Sequence, residues 1–186
     1  MKYFFGFLAA VGLIVFVVVL IIRGFTGGSS KTSKNAIQLA TYASTDVSVQ
    51  MTVDGPITAD QNHFGYRITV ASSGNTIDLL QGYQNTVTST KTYANNSDSY
   101  VQFLRAIDLL GYGKGTSDPK KQDSRGVCPD GKHFRFKILS GTGNEIQNYW
   151  TTSCGGGNFG GKREPIRQLF SSQIPDFDTL TNKLDL

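Results

Sequence analysis

The apolar positions change their spacing along the chain, and each spacing predicts a different element. From Tyr3 to Ile22 they run unbroken, with no charged side chain. A helix rises about 1.5 Å per residue, so a run of this length reaches about 30 Å, the hydrocarbon thickness of a bilayer. Backbone groups in lipid must bond within their own segment, which leaves helix as the form open to a single span. Residues 1–23 are therefore expected to be a transmembrane helix, with the lipid bilayer as partner through residues 3–22. Residues 24–34 (GFTGGSSKTSK) break the run and read as a flexible Gly/Ser/Thr linker.

Past residue 34 the period shortens. Asn35 is placed to cap a short helix carrying Ile37, Leu39, Ala40 and Ala43. Val47, Val49, Met51 and Val53 alternate with Asp46, Ser48, Gln50 and Thr52, the signature of a half-buried strand, and Asp54-Gly55-Pro56 ends it. Phe64, Tyr66, Ile68 and Val70 predict a second strand, Ser73-Gly74-Asn75 a turn, and Thr76 to Leu80 a third strand. Residues 84–93 are Thr-rich and β-prone. Asn96 or Ser97 then offers an N-cap to a helix whose Tyr100, Phe103, Leu104, Ile107 and Leu110 share one face, with Gly111 at its end. Phe134, Phe136 and Ile138 alternate with His133, Arg135 and Lys137. Ser140 to Asn144 is the turn, and Ile146 and Trp150 are expected to continue the apolar face on the return strand. Pro165 suits the first turn of a last helix, with Ile166, Leu169 and Phe170 as its stripe. The order predicts an α+β domain over residues 35–186, an antiparallel β-sheet packed with about two helices.

Charge refines the placement. The formal net charge of +4 suggests a nucleic-acid partner until it is located. Lys2, Arg23, Lys31 and Lys34 flank the apolar run; after residue 34, Lys and Arg equal Asp and Glu in number. The basic excess belongs to the membrane flank, so no nucleic acid is expected. The segment after the run lacks an Ala-x-Ala site and a nearby Cys, and the run lacks an early Glu. These absences argue against a cleaved signal peptide, a lipoprotein and a type IV pilin in favour of an uncleaved single-pass anchor. A count of flanking charges favours a cytoplasmic C-terminal side. The two-residue N-terminal tail, the distance of Lys31 and Lys34 from the span, and the domain's uncharged polar surface favour the opposite, with the domain outside the cytoplasm.

Candidate chemistry is sparse. A hairpin turning at Gly141–Thr142 sets Cys128 opposite Cys154, on the face of Phe134, Phe136 and Trp150, and outside the cytoplasm the pair is expected to form a disulfide. Zinc is disfavoured: Cys128, His133 and Cys154 lack a paired Cys knuckle, and His63 completes no spacing. Gly156 to Lys162 fits G-x4-G-K, but Arg163 stands where a phosphate loop needs Ser or Thr. His63 and His133 sit in no Ser or Cys elbow, so no catalytic, metal or cofactor residue is assigned. Asn95-Asn96-Ser97 matches a glycosylation acceptor at a frequency near chance. The long polar loop over residues 113–127 offers a basic partner surface: Lys114, Lys120, Lys121 and Arg125, flanked by Tyr112.

Cys128-Pro129-Asp130-Gly131, Tyr149 to Cys154 and Gln173 to Phe177, with Asp54 to Ile57 and Gly82-Tyr83, resemble single-span membrane-anchored envelope proteins of small reduced-genome bacteria, in which a span precedes a Thr/Ser-rich domain with a Cys pair. The resemblance implies a bacterial envelope location and carries no activity. The expected function is a non-enzymatic binding or structural module of the envelope, with a protein or glycan partner. The rival reading is an ectoenzyme acting on a cell-wall or surface substrate, which a cleft holding a His and a carboxylate of perturbed pKa would favour.

Overall fold

The computed structural model describes residues 39–42, 46–184 and 186. The expected anchor, linker and Asn35 cap lie outside the described residues, and among those described no helix is long and apolar enough to cross a membrane. The domain is α+β, as the periodicity predicts. Its strands are β1 (Ser48–Asp54), β2 (Phe64–Ala71), β3 (Gly74–Gln81), β4 (Thr86–Ala94), β5 (His133–Leu139) and β6 (Glu145–Thr152). They form one antiparallel sheet in the order β4-β3-β2-β1-β5-β6. Among the described residues three α-helices accompany it: α1 (Ser97–Leu109), α2 (Arg163–Ser171) and the short α3 (Phe177–Thr181).

One face of the sheet is apolar and carries the helices. Val49, Met51 and Val53 of β1 meet Tyr66, Ile68 and Val70 of β2 and Phe134, Phe136 and Ile138 of β5, all buried. Tyr100, Phe103, Leu104 and Ile107 of α1 and Ile166 and Phe170 of α2 close the core over them. Asn96 caps α1, its side chain accepting from the Ser99 amide at 2.9 Å. The helix ends in a Schellman motif: the Gly111 amide (φ +81) donates to Asp108 and the Tyr112 amide to Ile107. That reversal drives Tyr112 into the core, where it packs on Phe136 and Phe170 and its hydroxyl donates to the carbonyls of Gln50 and Lys137, each at 2.8 Å. Tyr112 is fully buried and contributes nothing to a partner surface.

The second hairpin departs from the expected register. Arg135 pairs with Trp150 and Phe136 with Tyr149, while Leu139 pairs with Glu145. Ile146 is left over as a bulge residue and is exposed. One extra residue shifts the pairing by one and moves every later side chain of β6 to the other face. Trp150 therefore shares a face with His133 and Arg135, and Gln147, Tyr149 and Thr151 take the core side. The expected face uniting Phe134, Phe136, Ile138, Ile146 and Trp150 does not form. Cys128 and Cys154 are nevertheless bonded, with a Cα–Cα distance of 5.9 Å. The bond lies beyond the strand ladder and clips the Cys128–Gly131 turn, where the Gly131 amide donates to Cys128, to the end of β6.

The two sheet edges are treated differently. β4 is exposed along nearly its whole length. The outer edge of β6 is covered by the Gly-rich connector, whose Asn158 and Phe159 amides donate to Trp150, and by Lys114 to Thr116, which pair with that connector. The Gly160 and Lys162 amides donate to Lys114 and Leu110. Four of the backbone donors of the G-x4-G-K stretch, those of Asn158, Phe159, Gly160 and Lys162, are thus engaged within the protein.

Candidate functional site: the Asp54 cleft

The face of the sheet away from the helices is polar, with cross-strand pairs such as Gln50–Thr69 and Arg67–Asp78. At the end of β1 two loops rise over this face and enclose a cleft of about 290 Å³, lined among others by Asp54, His63, Tyr83, His133, Arg135 and Trp150. Strand pairing assembles it. Asp54 is opposite Gly65 on β2 and opposite His133 on β5, and Arg135 lies between Thr52 and Trp150.

Glycine is required opposite the carboxyl. A Cβ on Gly65 would come 2.7 Å from the Val53 carbonyl oxygen and 2.9 Å from Asp54 Oδ1. With that side chain absent, the Asp54 carboxyl lies back into the sheet. Oδ1 is inaccessible to solvent and has no hydrogen-bond partner. Burial holds the Asp54 pKa above the ordinary carboxylate range, while the charges of His63, Arg135 and His133 pull it the other way. Among the described residues Asp54 is the sole carboxylate lining the cleft.

One wall is the loop that follows β1. His63 is buried, and its Nδ1 lies 3.1 Å from the Pro56 carbonyl oxygen. A carbonyl only accepts, so Nδ1 carries a proton directed at it. Tyr83 stacks on this imidazole at 4.2 Å. It is anchored three ways: its amide donates to Asp60 Oδ1, its hydroxyl donates to the Thr58 carbonyl, and the Thr58 amide donates back to that hydroxyl. Tyr83 and Ile57 remain exposed at the rim.

The opposite wall uses the loop over residues 113–127. Trp150 stacks on His133, and its indole N–H donates to the Lys121 carbonyl at 2.9 Å, which draws the loop over the sheet. Ser124, Arg125 and Gly126 line the cleft as a result. Arg125 forks onto Asp123, holding that exposed carboxyl down to about 2. Of the sequence-derived partner surface, only Arg125 reaches the cleft. Lys114 sits under the Gly-rich connector, Lys120 and Lys121 form a surface turn, and Tyr112 is in the core. The disulfide supports the first wall from behind, because the Ile57 amide donates to the Pro129 carbonyl at 2.7 Å.

Nothing in local spacing pointed to Asp54, His63, Tyr83, His133 and Trp150 together. The usable signal was parity: Asp54 lies on the polar face of β1 immediately before a Gly-Pro break. Among the described residues no cluster of three His, Cys, Asp or Glu could hold a metal ion. No family model matches the chain, and no curated protein is similar to it.

Proposed function

We propose that the protein is a membrane-anchored envelope module whose exported domain binds a neutral sugar unit in the Asp54 cleft. The observation that carries this is the Asp54 carboxyl, the sole carboxylate among the described residues lining a walled cleft. A ligand hydroxyl in the cleft would donate to the edge of the carboxyl that lines it, and a hydrogen bond to a carboxylate contributes about 1.5–3 kcal/mol. Sugars pair hydroxyls with an apolar ring face, and the exposed Tyr83 and Ile57 supply the apolar counterpart at the rim. The apolar run over residues 3–22 supports the anchor. The Cys128–Cys154 bond and the resemblance to bacterial envelope proteins support an outside location.

The ectoenzyme reading has its own support in a carboxyl of raised pKa beside two imidazoles. Glycoside hydrolysis ordinarily requires two carboxyl groups about 5–9.5 Å apart, and this cleft is lined by one. Binding without cleavage is the better account. The test titrates the full chain in micelles of a sugar-free polyoxyethylene alkyl ether with the N-acetylglucosamine trimer, maltotriose and mannotriose, followed by product analysis. Saturable binding of a trimer with no cleavage is expected. Cleavage would move the reading to the ectoenzyme, and no binding of any trimer would contradict it.

A further inference from the structure

A second cleft opens on the helix side of the same sheet end. It measures about 350 Å³ and is lined by Val53, Tyr66 and Phe134 from the core face, Lys132 and Ser153 beside the disulfide, and Arg163, Glu164 and Arg167 of α2. Three cations face one acid. Glu164 is held by Arg167 at 2.5 Å, and its pKa is lowered first by that bond and further by the charges of Arg163 and Lys132. One cation is neutralised and two charges remain.

Those two cations are not equivalent. Arg163 lies 5.0 Å above the Phe134 ring centroid and donates through one terminal nitrogen to the Thr152 carbonyl, while its Nε–H is buried without a partner. A buried, unpartnered guanidinium donor calls for an explanation, and an acceptor in the cleft provides one. Lys132 forms no ion pair among the described residues. Its amide donates to Ser153 Oγ, whose own hydroxyl points at the Cys128 sulfur, a weak acceptor, at 3.6 Å. The Tyr66 phenol is pushed up to about 12 by burial, although Arg167 acts the other way, so it stays a donor at physiological pH. The cleft is thus rich in donors, carries two uncompensated positive charges, and has its one carboxylate already engaged.

We propose that this cleft is a second binding site, for an oxyanion of the phosphate class. A guanidinium with a free edge N–H, an ammonium and two hydroxyls match tetrahedral oxygens, and the residual charge suits a phosphate better than a neutral ligand. No glycine of the neighbouring connector lines the cleft. The phosphate group is either free or part of a glycerol-phosphate polymer, and the experiment separates these.

The full chain in maltoside micelles is titrated calorimetrically with inorganic phosphate and, separately, with poly(glycerol phosphate), at fixed ionic strength set by chloride. Saturable binding is expected, reduced about tenfold or more in Lys132→Gln and in Arg163→Gln. Lys132→Gln removes no ion pair and no side-chain hydrogen bond among the described residues, so its result stands even if Arg163→Gln fails to fold. Lys120→Gln/Lys121→Gln, on the surface turn, should leave binding unchanged. Tighter binding of inorganic phosphate identifies a free-phosphate site; tighter binding of the polymer identifies a polymer site. No saturable binding of either probe, or an equal loss in Lys120→Gln/Lys121→Gln, would overturn the proposal. Asp54→Asn should leave phosphate binding intact, so failure here and failure of the sugar-binding reading are read separately.

Discussion

Asp54 and Gly65 are cross-strand partners, and the side chain that Gly65 lacks is what gives the Asp54 carboxyl its place. The added methyl of Gly65→Ala would meet the Val53 carbonyl, a backbone atom that cannot swing aside. The substitution is expected to destabilise the domain by about 1–3 kcal/mol and to displace the carboxyl. Denaturant melts of the full chain check the first effect. An unchanged midpoint would show that the strands separate easily at this point.

Asp54 also gives the domain a pH signature. Its folded pKa lies above the unfolded value, so the folded state binds more protons between the two. Stability is therefore highest with the carboxyl protonated, and it falls as pH rises from about 4 through the raised folded value. Asp54→Asn removes that loss. The variant should melt higher than wild type at pH 7 and nearly equal to it at pH 3. Melting temperatures across this range decide it; a variant less stable at pH 7 would mean that the ionised carboxylate is a stabilising group.

Trp150 holds the loop over residues 113–127 through one bond to the Lys121 carbonyl. Trp150→Phe keeps an aromatic ring and loses the donor. It should cost about 1 kcal/mol and expose the loop near Lys120 and Arg125 to trypsin. Trp150→Ala should cost about 3–5 kcal/mol. Limited proteolysis in the folded baseline reports the first effect; equal cleavage rates in wild type and Trp150→Phe would show that the bond does not restrain the loop.

The disulfide is expected to contribute about 3 kcal/mol by restricting the unfolded chain. It also backs the cleft, because the Cys128–Gly131 turn accepts from Ile57. The Cys128→Ser/Cys154→Ser pair should lower stability by that amount and weaken trimer binding as well. Melts and titrations of the double variant test both; a stability loss with unaltered binding would uncouple the turn from the wall.

Much of the fold was legible because its signals are local. Asn96 and Gly111 bracket α1, and the alternation from Val47 to Val53 is a strand half-buried on one side. The register of the second hairpin was not legible. It depends on whether Ile146 is paired or bulged, and an apolar residue beside a Gly-rich turn satisfies either pattern. That single residue decides which face Trp150 joins. The cleft was hidden for a related reason: Asp54, His63, Tyr83 and His133 meet only once β1 has paired with both β2 and β5. Tyr112 reads as a loop aromatic until the Schellman reversal after Leu110 turns it inward.

The most direct test of the sugar-binding reading is the affinity of wild type and Asp54→Asn for the best-bound trimer at pH 7. A hydrogen bond to a charged acceptor contributes about 1.5–3 kcal/mol, so binding should weaken on the order of tenfold or more. Equal affinity in the two proteins would contradict the account, because the buried carboxyl would then take no part in holding the ligand.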